Sequence, residues 1–202
     1  MANARVKLLI CIQIVALLAA HTAYAIVGCT LNDPDRDIPR LFPESTGYET
    51  AYITIEEKGG EALNKEIEKE LGGTFEPIYE TIDVPYAFYT VFRDKKVIGY
   101  VHGVNQKGRY GGMQLMISSG MDDKVRSFWY HKLSSPEAAA FVDTKFTDKF
   151  TGLTSDDLIK GNYSIADPSK NGSYDFRATL RGLKKNRILL KKLLLEGAVS
   201  AR

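Results

Sequence analysis

The chain has 202 residues and a formal net charge of +2, and this length suits one domain with its own hydrophobic core. Arg5 and Lys7 supply that excess, so the chain after residue 25 is formally neutral. A neutral chain is a poor candidate for general nucleic-acid binding, which relies on phosphate neutralisation, and we expect no nucleic-acid partner.

Residues 1–25 have the pattern of a secretory signal peptide. A short basic segment precedes an apolar run that is too short to span a bilayer, and small residues at a cleavage position follow. We therefore predict export to the periplasm or the cell envelope; an uncleaved N-terminal anchor is an alternative. Ile26-Val27-Gly28-Cys29 also fits a lipoprotein cleavage site, so soluble export and a lipid anchor at Cys29 both remain open. Cys29 is the only cysteine after residue 25, which excludes an intrachain disulfide.

The segment before the main sheet carries three weaker patterns. Residues 30–43 predict an extended lead-in with turns, and residues 47–57 predict an edge strand. In residues 61–71, apolar side chains recur every four positions and two glycines follow, which predicts a short amphipathic helix.

The central part of the chain predicts an antiparallel meander. Aromatic and β-branched residues alternate with short charged or glycine-rich breaks, as expected of half-buried strands. The predicted strands are 86–92, 97–104, 113–117 and 125–131, with a loop at 105–112. Such a sheet has an apolar face that helices must cover, and we expect them on one face.

Helices are predicted after the meander. Pro136 at a first helical position starts one that extends to about residue 150, a short one is expected at 155–160, and the last covers 175–196. The fold class is therefore α+β, one antiparallel sheet covered by helices. We divide the chain into a signal peptide (1–25), an N-terminal extension with a short helix (26–85) and the α+β domain (86–202).

The last helix is strongly basic. A solvated face is the simplest interpretation, and contact with anionic lipid headgroups or an acidic partner is the alternative. Its basic residues are Arg177, Arg181, Lys184, Lys185, Arg187, Lys191 and Lys192.

No motif for stand-alone catalysis is present. The sequence has no Gly-x-Ser-x-Gly elbow, no paired Cys/His spacing for a metal and no phosphate-binding P-loop. His102 and His131 lie on predicted strands and are interpreted as ordinary strand histidines. We expect no metal site and no catalytic residue.

The order of several short motifs resembles the FMN-binding domain of exported flavin subunits in Rnf-type and sodium-pumping NADH:quinone reductase complexes. The resemblance covers about residues 86–195. The motifs are Gly99-Tyr100, Gly108-Arg109-Tyr110-Gly111-Gly112, Ser134-Ser135-Pro136-Glu137 and Phe146 followed by Phe150-Thr151-Gly152.

The family attaches FMN through its phosphate to the threonine of a Ser-Gly-Ala-Thr motif at the start of the last helix. Phe176-Arg177-Ala178-Thr179 occupies that place here, so Phe176 and Arg177 depart from the family pattern. The resemblance implies covalent FMN at Thr179, and Arg177 could instead hold the phosphate of non-covalent FMN. A chain without flavin is the third alternative. The implied cofactor-binding residues are Gly108, Tyr110, Gly111, Gly112, Ser135, Arg177, Ala178 and Thr179.

The resemblance implies an exported electron-transfer component of a bacterial envelope redox system, with a redox or membrane protein as partner. The cofactor would supply the redox chemistry. The alternative is a flavin-free exported module that binds a protein partner or the membrane surface.

Overall fold

A computed structural model describes residues 29–76, 80–171 and 173–196, and the predicted signal peptide lies outside these ranges. Five antiparallel strands form one sheet in chain order. They are β1 (Gly47–Ile53), β2 (Tyr86–Arg93), β3 (Lys96–Lys107), β4 (Gly112–Gly120) and β5 (Val125–Leu133). The α+β fold class, the four-stranded meander and the edge strand are thus confirmed.

The β3–β4 hairpin is longer than predicted. Residues 105–107 were expected in a loop, but they pair with residues 112–114. The polar side chains of this stretch satisfy one another across the strands, since the Gln114 amide donates to Asn105 Oδ1 at 3.2 Å. β3 and β4 remain paired along this stretch because backbone hydrogen bonds between strands do not require apolar side chains.

A long helix covers the first face of the sheet. This helix, α7 (Ser173–Leu189), continues into a π-helical turn, Leu190–Leu195, and packs on β3 and β4. A Cβ atom on Gly182 would lie 2.8 Å from Leu115 Cδ1, so glycine permits the close approach of helix and sheet. Two further helices, α3 (Gly60–Leu71) and α6 (Ser155–Lys160), pack against α7.

The N-terminal segment covers the second face, so the expectation of helices on one face was wrong. Residues 30–43, predicted as extended, contain α1 (Pro34–Leu41). Asp33 caps this helix by accepting the N–H of Arg36 at 3.2 Å, and Pro34 suits the first position. Ile38 and Phe42 are buried against the sheet. The 26–85 segment therefore contributes both a strand and a covering layer.

The remaining helices are short. They are α2 (Ile55–Lys58), α4 (Ala138–Val142), α5 (Thr144–Thr147) and a 3₁₀ turn, Asp148–Phe150. The helix predicted from Pro136 to about residue 150 is thus divided, and Asp143 starts its second piece by accepting the N–H of Lys145 at 2.9 Å. Among the described helices, none is both long and apolar enough to cross a membrane.

Candidate functional site

Three segments meet at the carboxylate of Asp175, in the first turn of α7. The backbone N–H of Arg109, in the β3–β4 loop, donates to Oδ1 at 2.8 Å. The hydroxyl of Ser135, before α4, donates to Oδ2 at 2.8 Å. Asp175 is only 1% exposed. The structure therefore brings together the loop 108–112, Ser135 and the start of the last helix, with Asp175 at their centre.

Close packing accounts for the glycines of this loop. A Cβ atom on Gly108 would lie 3.1 Å from Asp175 Oδ1. Gly111 has a φ of +142°, and a Cβ atom there would lie 3.1 Å from Ser134 Cβ. Gly112 opens β4. Positions 108 and 111 favour glycine even without a ligand, so these two glycines do not by themselves indicate a flavin.

Thr179 lies in the second turn of α7 and is fully buried. Its hydroxyl donates to the carbonyl oxygen of Asp175 at 2.8 Å and lies 2.7 Å from the Tyr130 hydroxyl. Because the Thr179 proton is used on that carbonyl, Tyr130 is the donor of the second bond. Burial raises the pKa of Tyr130, which keeps its donor proton in place. The Thr179 hydroxyl thus donates one hydrogen bond and accepts another.

A covalent FMN at Thr179 does not fit this arrangement. A phosphoester at Oγ1 would break the bonds to Asp175 and Tyr130 and would place the phosphate in the apolar interior. The two donors that could bind an anion nearby, Arg109 N–H and the Ser135 hydroxyl, already hold the Asp175 carboxylate. A second anion there would meet like-charge repulsion.

Arg177 and Ala178 line a separate small cleft of about 210 Å³ beside the end of β3. The other lining residues are Glu76, Gln106, Lys107, Tyr174 and Arg181. Lys107 pairs with Glu76 at 3.4 Å, whereas Arg177 has no ion pair within the described ranges. The cleft can accept a small anion, but it is smaller than the roughly 300 Å³ at which pockets for drug-sized ligands begin.

Exposed aromatic and basic side chains surround the Asp175 junction. Tyr110 is 57% exposed and Tyr174 is 40% exposed. Tyr110 follows Arg109 in the chain, and Tyr174 precedes Asp175. Because Arg109 and Asp175 are hydrogen-bonded to each other, both tyrosines lie at the same end of the molecule. The Arg109 guanidinium lies 5.7 Å from the centroid of the Tyr110 ring. Arg177 is exposed and lines a cleft together with Tyr174. We call these four residues the aromatic end.

The prediction of a solvated basic face on the last helix was wrong for Lys185 and Arg187, whereas Arg177 is exposed and Arg181, Lys184, Lys191 and Lys192 are half-buried. Lys185 and Arg187 are each 1% exposed. The Lys185 ammonium donates to Glu80 Oε1 and to the carbonyl oxygen of Asn105. Arg187 donates to Ser155 Oγ at 3.0 Å and Ser119 Oγ at 3.3 Å. These cations face the interior and are not available to a membrane surface.

Glu80 is the centre of the buried ionic cluster. Burial by itself raises the pKa of Glu80, but Lys185 and Arg181 outweigh that effect and hold the pKa below its usual value. Burial lowers the pKa of Lys185 to about 8, against the opposing effect of the carboxylate. Arg181 contacts Glu80 at 3.0 Å and Gln106 Oε1 at 2.9 Å. The cluster joins the segment before β2 to α7 and β3.

His102 is a buried strand histidine on the first face of the sheet. Its Nδ1 atom lies 2.8 Å from the carbonyl oxygen of Ala87, which makes Nδ1–H the donor, and its ring stacks on Phe88 with centroids 4.1 Å apart. Nε2 has no hydrogen-bond partner among the described residues. Burial lowers the pKa of His102 to about 3, and Arg187 and Lys185 add to the shift.

The roles of Asp175 and Glu80 and the burial of Lys185 were not predicted from the sequence. One signal was present: the last helix is apolar on most sides beyond residue 186, which is typical of a helix buried all round. Charged residues in such a helix need partners, because unpaired charges are rarely buried. The identity of the partners depends on contacts between segments far apart in the chain.

No family model matches the chain, and a search of curated proteins gives no match. Within the described ranges, no three His, Cys, Asp or Glu side chains lie close enough to hold a metal ion.

Proposed function

We propose that this chain is an exported, flavin-free binding module without catalysis of its own, which acts by binding a protein partner. The observation that carries the proposal is the closed junction at Asp175. Its carboxylate takes the Arg109 N–H and the Ser135 hydroxyl, from the segments between which the resemblance places a flavin, and Thr179 is buried with both hydrogen bonds made. The resemblance to flavin domains would then concern the fold and not the cofactor.

The aromatic end supports a protein partner. Tyrosine and arginine are the residue types enriched at the energetic centres of protein interfaces. Tyr110, Tyr174, Arg109 and Arg177 supply both types on one exposed end, with a positive charge suited to an acidic partner surface. The buried direction of Lys185 and Arg187 makes a membrane surface the weaker alternative.

The surroundings of Cys29 favour soluble export over a lipid anchor. Its side chain is buried on the second face of the sheet, and Sγ lies 3.1 Å from Met116 Sδ. Burial raises the pKa of this thiol to about 12, so it remains protonated at neutral pH. A lipid on this sulfur would require it to leave the core.

The first test is the visible spectrum of protein exported by a host that carries a flavin transferase. We expect no flavin absorbance in the acid-precipitated protein and no saturable change after added FMN. Absorbance that stays with the precipitate, and that Thr179→Val removes, would contradict the proposal by demonstrating covalent attachment. Absorbance released into the supernatant would contradict it by demonstrating a non-covalent flavin, and Arg177→Gln should then weaken FMN binding.

The second test locates the partner surface. A photo-crosslinking amino acid in place of Tyr110 or Tyr174 is expected to give a discrete protein adduct in the cells that make the protein. The matched control is Tyr52, which is 56% exposed on the edge strand β1. The same adduct from position 52, or none from positions 110 and 174, would argue against the aromatic end as the binding surface.

A further inference from the structure

A second concave site lies on the opposite face of the sheet, in a groove between α1 and β5. Its volume is about 460 Å³, compared with about 210 Å³ for the Arg177 cleft. This size lies within the roughly 300–1,000 Å³ of small-molecule sites. The lining residues are Asn32, Arg36, Asp37, Arg40, Leu41, Trp129 and His131. None of them was predicted from the sequence to bind a ligand.

Packing on the sheet holds the wall of the groove in place. Ile38 and Phe42 anchor α1 in the core of the second face. The backbone N–H of Leu31 donates to the Tyr89 hydroxyl at 3.0 Å, which fixes the chain that enters α1. The Arg126 guanidinium stacks over the Phe42 ring at 4.3 Å. The concave shape is therefore pre-formed, which lowers the entropic cost of binding.

A β-bulge places His131 at the groove. Leu115 pairs with Tyr130 and Gln114 pairs with Lys132, so His131 is an extra residue without a partner residue on β4. Bulges redirect side chains at the edges of sheets and next to binding sites. Trp129 packs against the core of the second face and presents the rest of its half-buried indole to the groove.

Two arginines and one aspartate line the groove, and Asp33 beside it also pairs with Arg36 at 3.8 Å. Arg36 and Arg40 are four residues apart on α1 and thus share one side of the helix. Asp37 holds Arg36 through contacts of 2.9 and 3.0 Å. Arg40 has no ion-pair or hydrogen-bond partner in the described part of the chain, so its guanidinium can bind a ligand.

We propose that this groove binds a planar organic anion. The ring of the ligand would stack on the Trp129 indole, and its carboxylate would take the paired N–H donors of Arg40, a bidentate geometry that arginine favours. His131 would supply a further hydrogen bond to the anion. This inference does not depend on the aromatic end, which lies at the junction of β3, β4 and α7.

Trp129 is the only tryptophan of the chain, so its fluorescence reports on the groove alone. The probe is 4-nitrobenzoate, a planar anion whose nitro group quenches indole emission. Its neutral counterpart is 4-nitrobenzamide. We expect saturable quenching by the anion, at least tenfold weaker binding of the amide, and the same dissociation constant by calorimetry.

Arg40→Gln is expected to weaken 4-nitrobenzoate binding about tenfold or more, because it removes the charge-assisted contact. The matched control is Arg93→Gln, an exposed arginine at the end of β2, which should bind as the unmodified protein does. Both positions are exposed, so both variants should keep the thermal unfolding midpoint. Equal binding of anion and amide, unchanged binding after Arg40→Gln, or no saturable binding at millimolar probe would overturn the proposal.

Discussion

Replacing Lys185 with methionine is expected to lower the free energy of unfolding by about 3 to 5 kcal/mol, because it leaves a buried carboxylate without its closest partner. Glu80 and Lys185 are both almost wholly inaccessible, and only Arg181, which is partly exposed, would remain to balance the charge. In a chain of this size the loss corresponds to a fall of roughly 6 to 20 °C in the unfolding midpoint. Denaturant unfolding followed by circular dichroism measures it.

Two further variants separate the ion pair from a simple loss of packing. Glu80→Gln/Lys185→Met removes both charges and retains an acceptor for Arg181, so it should recover most of the lost stability. Lys184→Met, the half-buried neighbour with no ion pair to a described residue, should change stability by less than about 1 kcal/mol. If the double variant is no more stable than Lys185→Met, the buried charge is not the cause of the effect.

Stability is expected to fall as the pH decreases from about 6.5 towards 3, in large part because of His102. Its pKa of about 3 in the folded chain lies below the ordinary value of 6.5. Between these values the unfolded chain binds a proton that the folded chain does not, so acid favours unfolding. One such group contributes about 1.4 kcal/mol per pH unit within this window.

The variant His102→Gln tests this origin, because glutamine keeps an N–H donor for the Ala87 carbonyl but does not titrate. We expect a flatter dependence of unfolding free energy on pH between 5 and 6.5 than in the unmodified protein. This window lies above the ordinary carboxyl pKa values, so the acidic groups contribute little to the slope. His131→Gln, at the partly exposed groove, is the control. An unchanged slope in His102→Gln would assign the acid sensitivity to another group.

The sheet was predictable because its signal is local. Runs such as 86–92 consist of residue types that fit a half-buried pleated surface, and short polar breaks separate them. The α1 helix was missed because its Asp-Pro-Asp start also suits a turn, although Asp33 before Pro34 is a good capping signal. The helix is favoured over a turn because it buries Ile38 against the second face of the sheet, a contact that the local sequence does not reveal.

The candidate site was predictable in its location but not in its chemistry. The resemblance implied that the loop 108–112, Ser135 and the last helix lie around one site, and the contacts of Asp175 bring these segments together. The Asp175 carboxylate that fills the junction was not foreseen, because its partners are 66 and 40 residues away in the chain. Similarly, the sequence shows Lys185 as one of many cations, and only the fold reveals its contact with Glu80.

The position of α7 after all five strands has a consequence during synthesis. Until the ribosome has released this helix, the first face of the sheet lacks its longest cover, and apolar side chains such as Phe88 and Leu115 are incompletely buried. A chain that stops short of residue 183 cannot supply Leu183, Ile188 or Leu189 to that face. Nascent or truncated forms are therefore the aggregation-prone species, and a holding chaperone would be most valuable before the last helix emerges.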